Sequence, residues 1–224
     1  MKGSKIKKLI CFIGIDGSGK TTCSINLYNK LKALGFSCRY VHHTYSIINN
    51  IPKMLRLCIR NFVLSISGAS VPVESAKDAT EGSRSERPIA LFSIAILLDS
   101  LIGRFTETKS NFGESITIYD RYFYDQIVDV AECLGTFPNW LTECYLRLIP
   151  KPDLVFLLDL PPIVAHQRKA EGPVGVYERR RELYLSLTKR LDMTNLIIIN
   201  ALQDPDEISA LIFGYVRKLL EVGG

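Results

Sequence analysis

A glycine-rich segment near the start of the chain has the residue types and spacing of a phosphate-binding loop. Residues 14–21 read GIDGSGKT and match the pattern G-x-x-x-x-G-K-[ST] at every fixed position. Glycines allow a tight turn whose backbone N–H groups point inward, and the start of the following helix favours anions. A chance glycine-rich turn would lack the strand-length apolar run and the helical segment on its two sides. The sequence therefore predicts a phosphate cradle at Gly14, Asp16, Gly17, Ser18, Gly19, Lys20, Thr21 and Thr22.

Two side chains of this segment predict the cofactors. The Lys20 ammonium would reach the β- and γ-phosphates of ATP, and the Thr21 hydroxyl would bind Mg²⁺. The carboxylate of Asp16 is unusual here because, pointing inward, it would repel a triphosphate. Two interpretations stay open: Asp16 points outward to a second substrate, or it is a helix-start carboxylate that benefits from the dipole.

An acid and an arginine stand together at the end of a predicted strand. Asp120-Arg121-Tyr122 directly follows the apolar residues 116–119. The carboxyl end of a parallel strand lies at the edge of the sheet where ligands bind. Asp120 would hold Mg²⁺ through water or polarise an attacking oxygen, and Arg121 offers a fork suited to a phosphate. A strand-end salt bridge is the alternative, but the phosphate loop favours the functional interpretation.

Basic residues flank a second irregular stretch, residues 169–176. Arg168 and Lys169 precede its glycines and proline, and three arginines follow at 179–181. A flexible segment with basic ends predicts a short lid, about residues 168–181, that closes over phosphates and excludes water. Glutamates adjoin the three arginines, so some of these charges belong to a solvated helix face. We expect one or two of the four arginines to be functional.

Strands and helices alternate along the chain. A helix is expected from about residue 21 to 34, with Gly35 as its C-cap. Continuous apolar runs are typical of strands buried on both faces, and long helical segments between them predict an α/β domain with a parallel sheet. We expect one domain over residues 1–224, with an irregular insertion at 65–87 that is either disordered or an active-site flap. The predicted strands are residues 9–15, 38–42, 114–119, 154–160 and 196–200.

Composition narrows the class of function. The 224 residues are 47% hydrophobic and 23% charged, as in ordinary globular proteins. The net charge of +5 suits an anionic ligand but is too small to predict a nucleic-acid partner. Six cysteines without a C-x-x-C pair, and three histidines, make reduced thiols a better interpretation than a metal–thiolate site. The apolar runs at 9–15 and 88–98 are too short for a membrane span, so we expect a cytoplasmic protein without a membrane partner.

Four segments, in order, resemble the thymidylate kinase family of P-loop nucleoside monophosphate kinases. They are the loop 14–22, the triplet 120–122, the strand and turn PDLVFLLDLPP at 152–162, and the basic segment ending in 181–184. The resemblance covers roughly the first 40 residues and the stretch from about 115 onward. It implies a three-layer P-loop kinase fold with a five-stranded parallel sheet of order 2-3-1-4-5. It also implies phosphoryl transfer from ATP to a nucleoside monophosphate, with dTMP the first acceptor to test.

The resemblance also implies roles for single residues. Asp16 resembles the family's phosphate-loop acid that contacts the acceptor sugar, and Arg121 the arginine that grips the acceptor phosphate. Gly17 stands where some members have a catalytic arginine, and members without it take one from the lid. The implied metal residues are Thr21 and Asp120, and the implied catalytic set is Lys20, Asp120, Arg121, Arg168, Arg179 and Arg181.

Base recognition departs from the family pattern at three places. The family's Arg-Glu-Pro-Gly-Gly after the second strand is replaced by residues 42–45 (HHTY). The helix that normally carries a thymine-reading arginine corresponds to residues 91–98, which contain none. The family's serine-rich stretch ending in Ala-Tyr-Gln corresponds to residues 125–130 (DQIVDV). If dTMP is the acceptor, Gln126 or the pair His42 and His43 would have to replace the usual base-reading set.

Other functions and the oligomeric state stay open. A kinase with the same donor site could act on another nucleotide, a nucleoside or a small phosphorylated metabolite, and a nucleotide-binding protein without catalysis is a third interpretation. His42 and His43 either line the acceptor pocket or form a packed or surface pair, and His166 is expected to be structural. The family resemblance suggests a homodimer through helices beside the sheet. The apolar residues 89–101 would form such a helix or one buried inside the monomer.

Overall fold

The computed structural model describes residues 7–42, 115–134, 139–191 and 194–222. The predicted insertion at 65–87, the apolar residues 89–101 and His43 lie outside these ranges. Strands and helices follow one another through the described residues in the α/β pattern that the sequence predicts, with two consecutive helices after β3 and after β4. In chain order they are β1 (Lys8–Ile13), α1 (Lys20–Ala33), β2 (Cys38–His42), β3 (Ile116–Asp120), α2 (Phe123–Leu134), α3 (Asn139–Leu148), β4 (Leu154–Asp159), α4 (Pro162–Arg168), α5 (Val174–Leu191), β5 (Leu196–Asn200) and α6 (Pro205–Val222).

The five strands form one parallel sheet in the order β2-β3-β1-β4-β5. This order confirms the α/β class and the topology that the resemblance implies. The register sets Asp120, the last residue of β3, beside Phe12 of β1 and beside His42 of β2. The carboxyl ends of β1, β2 and β3 therefore meet at one edge, where ligands of open α/β sheets bind.

The centre of the sheet is the core of the molecule. Ile10 and Phe12 of β1 and Val155 and Phe156 of β4 have no exposed surface. The rings of Phe12 and Phe156 stack with centroids 5.2 Å apart across the two strands. Burial of side chains of this size contributes about 1.5–3 kcal/mol each, which makes the central strands a firm base for the loops at their ends.

The bounds of β1 and β3 differ from the sequence prediction by one or two residues at each end. β1 ends at Ile13, two residues before the predicted end, because Gly14 has a φ of +138° and turns the chain into the phosphate loop. Ile15 is nevertheless buried, so the apolar pattern continues past the strand. β3 begins two residues later than predicted and includes Asp120.

The first helix ends as predicted at a glycine. Gly35 has a φ of +84°, and its N–H donates to the Lys32 carbonyl at 3.0 Å. The N–H of Phe36 donates to the Leu31 carbonyl, also at 3.0 Å. These two bonds form a Schellman motif, which satisfies carbonyls at the helix end and requires the left-handed residue that glycine supplies.

The basic segment after β4 is a short loop between two helices. α4 ends at Arg168 and α5 begins at Val174, so the irregular part covers residues 169–173 and is shorter than the predicted 169–176. The Tyr177 hydroxyl donates to the Lys169 carbonyl and accepts from the Glu171 N–H at 3.0 Å. A buried tyrosine of α5 therefore holds the loop, and the three arginines at 179–181 lie on a helix.

None of the helices that the structure describes is long and apolar enough to cross a membrane.

Candidate active site

The phosphate loop leaves no room for side chains at two of its glycines. A Cβ atom on Gly14 would lie 2.7 Å from the carbonyl oxygen of Leu158, and one on Gly17 would lie 2.8 Å from that of Ala165. Gly17 and Gly19 also have positive φ values of 82° and 93°. Gly19 is the residue directly before α1, so the loop opens onto a helix N-terminus. These features form the backbone cradle that binds anions in such loops.

Lys20 is buried at the base of this cradle. Its ammonium donates to the carbonyl oxygens of Gly14 and Ile15, each at 2.7 Å, and lies 3.8 Å from the Asp16 carboxylate. The side chain is 5% exposed, and burial lowers the pKa of Lys20 to about 8 because it disfavours the cation. The charges of Asp125, Asp16 and Asp120 act in the opposite direction and favour the cation.

The other loop side chains fall into two groups. Ser18 is buried, and its hydroxyl oxygen has no hydrogen-bond partner among the described residues. Thr21 and Thr22 are exposed residues on the first turn of α1. Thr21 has a protein partner, because its hydroxyl donates to Asp120 Oδ2 at 2.7 Å.

The Asp120 carboxylate at the end of β3 accepts hydrogen bonds from α1 and from β2. Its Oδ2 atom accepts from Thr21 of α1, from the Tyr40 hydroxyl at 3.0 Å and from His42 Nδ1 at 2.8 Å. A carboxylate oxygen accepts, so the histidine nitrogen is the donor. Burial raises the pKa of Tyr40 to about 12, and the bond to Asp120 adds to the shift, so this hydroxyl keeps its proton. Asp120 itself is fully buried, and within the described part of the chain its Oδ1 atom has no hydrogen-bond partner.

Thr21 and Asp120 have the chemistry of a magnesium site. A hydroxyl and a carboxylate are hard oxygen ligands of the kind that Mg²⁺ prefers, and phosphate oxygens and water supply the rest of its shell. Asp120 Oδ1 is a buried acceptor without a partner in the described residues, which fits a cation or a metal-bound water at this place. The two predicted metal residues thus fit the ion.

Arg121 and Asp16 form an ion pair beside the loop. Arg121 has a φ of +67°. Its N–H donates to the Phe12 carbonyl of β1 at 3.1 Å, directly after the end of β3. Its guanidinium donates to Asp16 Oδ1. Burial raises the pKa of Asp16, but the charges of Lys20 and Arg121 outweigh it, so the pKa of this carboxyl lies below its usual value. Asp16 is therefore ionised at neutral pH and turned toward Arg121.

The three lid arginines of the predicted catalytic set lie in three different environments. Arg168, at the end of α4, reaches the Gly17 carbonyl at 3.5 Å and so lies beside the phosphate loop. Arg181 binds Asp159 through two bonds of 2.6 and 2.7 Å. Arg179 is exposed on α5. Of these three arginines, Arg168 is the one with a hydrogen bond to the phosphate loop within the part of the chain that the structure describes.

Arg180 is one of the four basic arginines of the predicted lid, but it was left out of the predicted catalytic set. Its guanidinium donates to Asp129 at 2.5 Å and to Glu132 at 2.7 Å, which ties α5 to α2. Its charge also contributes to the lowered pKa of Asp16, so Arg180 is electrically part of the site. Helical spacing could have revealed it: Arg180 lies three residues after the buried Tyr177 and four before the buried Tyr184, on the inner face of α5.

Asp125 is a second buried acid near the site. Its carboxylate accepts from the Tyr122 N–H at 2.7 Å and from the Tyr184 hydroxyl at 2.6 Å. The first bond caps the N-terminus of α2 in the manner of a capping box. Burial raises the pKa of Asp125, although the charge of Lys20 acts against the shift. Gln126 beside it is buried too.

Comparison with known proteins identifies the family. The chain is 31% identical over 226 aligned positions to the probable thymidylate kinase 1 of Saccharolobus solfataricus, and the match covers 96% of this chain and 100% of that protein. The chain belongs to the thymidylate kinase family. The probable thymidylate kinase of Sulfolobus acidocaldarius is 28% identical, with 95% of this chain and 97% of the relative covered. The thymidylate kinase of Xylella fastidiosa is 24% identical, with 96% and 92% covered. No protein-family model matches.

Membership of the thymidylate kinase family makes the protein a nucleotide kinase, a phosphotransferase of the nucleoside monophosphate kinase type. That the phosphate cradle, the buried Lys20 and the Thr21–Asp120 pair hold its nucleoside triphosphate stays a prediction.

Proposed function

We propose that this thymidylate kinase family member transfers the γ-phosphoryl group of ATP, with Mg²⁺, to a nucleoside monophosphate, and that dTMP is its acceptor. The observation that carries the proposal is the direct bond between Thr21 and the buried Asp120 at the mouth of the phosphate loop. Relatives from archaea and bacteria that match over most of the chain are named thymidylate kinase, which supports dTMP as the first acceptor.

The donor side would be built from the loop and Lys20. Backbone N–H groups of residues 14–19 would surround the phosphates, and the Lys20 ammonium would exchange its bonds to the loop carbonyls for phosphate oxygens. Thr21 and Asp120 would hold Mg²⁺. When bound, the metal would supply positive charge that neutralises charge developing during the transfer.

The acceptor side would be built from Arg121 and Asp16. The Arg121 guanidinium would bind the acceptor phosphate through its fork, while Asp16 contacts the acceptor sugar. The ion pair between the two side chains fixes both, so the two anionic substrates would meet in line at the end of β1. Two phosphates brought together need surrounding cations, and Lys20 and Arg121 supply the nearest ones.

A lid arginine would supply positive charge to the transferred group. Arg168 is the candidate that we favour because its guanidinium donates to the Gly17 carbonyl of the loop. Arg181 would first have to leave its bidentate bond with Asp159, and Arg179 would have to turn in from an exposed helix position. Closure of the basic loop would also exclude water from ATP.

The test is ADP formation from Mg·ATP with a panel of acceptors: dTMP, dUMP, the other nucleoside monophosphates and free nucleosides. Turnover that is strongest with dTMP supports the proposal. Turnover with a different acceptor would keep the phosphoryl-transfer mechanism and replace dTMP, a result that the departures at residues 42–45, 91–98 and 125–130 make worth testing. No turnover with any acceptor, in a protein that binds ATP, would favour a non-catalytic nucleotide-binding protein.

We also propose that the protein is a homodimer in the cytoplasm. The family resemblance supports the dimer, and the use of ATP supports the cytoplasm. Sedimentation at several protein concentrations tests the dimer, and a monomer at every concentration would overturn it.

A further inference from the structure

We propose that Tyr40 and His42 are positioning residues that hold the Asp120 carboxylate with its Oδ1 atom turned to the magnesium site. The inference rests on the proposed function, because it concerns the metal that would accompany ATP. It assigns a task to two side chains of β2 for which neither the phosphate loop nor the lid accounts.

The two oxygens of Asp120 have unequal surroundings. Oδ2 accepts three hydrogen bonds, from Thr21 at 2.7 Å, His42 at 2.8 Å and Tyr40 at 3.0 Å. Oδ1 is equally buried, yet it has no hydrogen-bond partner in the part of the chain that the structure describes. A carboxylate with one oxygen saturated and the other free is fixed in rotation, since turning it would break three bonds at once.

The sheet explains why these two residues reach the same oxygen. His42 pairs in register with Asp120 itself, and Tyr40 pairs with Ile118, two residues earlier on β3. Side chains two residues apart on a strand point to the same face, so both project from β2 on one side. Thr21 approaches from α1, so the donors come from two elements.

The three donors differ in what they could do with a metal. The Thr21 hydroxyl is a candidate ligand, because it can donate to Asp120 and still offer oxygen lone pairs to Mg²⁺. Tyr40 and His42 have their polar groups directed at Oδ2. They would therefore act on the metal through Asp120, as outer-shell partners do in known metal sites.

The experiment measures ATP binding by calorimetry, once with excess Mg²⁺ and once with EDTA, without any acceptor. The dissociation constant in EDTA divided by that in Mg²⁺ gives the contribution of the metal to ATP binding. We expect Tyr40→Phe and His42→Ala to reduce this ratio by about tenfold and to leave the affinity in EDTA within about twofold of the wild type. His42→Asn should recover most of the loss because its amide nitrogen can donate near the position of Nδ1.

Tyr28→Phe is the matched control. Tyr28 lies on α1 with its ring centroid 6.2 Å from that of Tyr40, so the change removes a hydroxyl from the same neighbourhood. It should leave the ratio unchanged. Thermal unfolding of each variant shows whether it is folded.

Three results would contradict the inference. If Tyr40→Phe and His42→Ala retain the wild-type ratio, the two residues do not position Asp120. If affinity falls equally in Mg²⁺ and in EDTA, their role is structural. If the wild type binds ATP equally with and without Mg²⁺, the metal site of the proposed function fails along with the inference. A wild type that shows the metal effect but does not phosphorylate dTMP would contradict the proposed acceptor alone.

Discussion

The buried ammonium of Lys20 is the charge on which phosphoryl transfer would depend most. Lys20→Ala should lower kcat/KM by at least about 100- to 1,000-fold, because the developing phosphate charge loses a preorganised cation. The variant should unfold within a few degrees of the wild type, since the change removes a buried charge and leaves the core intact. Steady-state kinetics and thermal unfolding measure the two effects.

Lys30→Ala is the control on the same helix. Its ammonium is exposed and lies 4.2 Å from the centroid of the Phe213 ring, at the far end of α1. Turnover should be unchanged. Normal activity in Lys20→Ala would contradict the assignment of the phosphate loop.

The pH dependence should report the same lysine. Burial lowers the pKa of Lys20 to about 8, so in the free enzyme the side chain is a cation below that pH and neutral above it. A neutral amine cannot pair with phosphate, so kcat/KM for ATP should fall as the pH rises through about 8. In the ATP complex the phosphates favour the cation, and the fall in kcat should move to higher pH.

Lys20→Arg separates this effect from other titrations. An arginine stays charged throughout the range, so the residual activity of this variant should show no such alkaline fall. A wild-type profile that stays flat from pH 7 to 10 would contradict the account.

Replacement of Arg121 should weaken binding of the acceptor and leave binding of ATP nearly unchanged. Arg121→Ala removes the fork that would bind the acceptor phosphate, so the KM for the acceptor should rise by about 10- to 100-fold. The KM for ATP should change by less than about threefold. Arg121→Lys keeps the charge without the fork. Its KM for the acceptor should lie between those of the wild type and Arg121→Ala. An effect confined to ATP would contradict the proposed role.

Between elements, Arg180 joins α5 to α2. Arg180→Ala leaves Asp129 and Glu132 without their cation, and both carboxylates are partly buried. We expect the free energy of unfolding to fall by about 2 kcal/mol. Urea denaturation measures the change. Arg217→Ala is the matched control, because it removes an exposed pair with Glu221 and should cost about 0.5 kcal/mol or less. Equal effects would show that the Arg180 cluster is an ordinary surface pair.

For the whole molecule, the central strands could be predicted from sequence because most of their residues are buried. Runs such as residues 154–160 are apolar throughout, and β4 occupies nearly all of that run. The end of β1 was placed two residues late because Ile15 is buried in the loop, and an apolar pattern does not distinguish a buried strand from a buried loop. The strand order came from the family resemblance and not from the pattern.

The candidate site could be predicted where its residues are close in sequence. Residues 14–22 form one continuous motif, and Asp120 with Arg121 follows one strand. The bonds of Tyr40 and His42 to Asp120 span about 80 positions and exist because β2 pairs with β3 in one register. No local pattern contains that information. The pairing of Arg180 with α2 depends in the same way on how two helices pack.

The most direct test of the central claim follows the phosphoryl group itself. Wild-type protein is incubated with ATP labelled at the γ-phosphate, Mg²⁺ and dTMP, and the products are separated. The account predicts that label appears in dTDP at the rate at which ADP forms, and that Lys20→Ala abolishes both. ADP formation with the label recovered as inorganic phosphate, equally fast with and without dTMP, would contradict it.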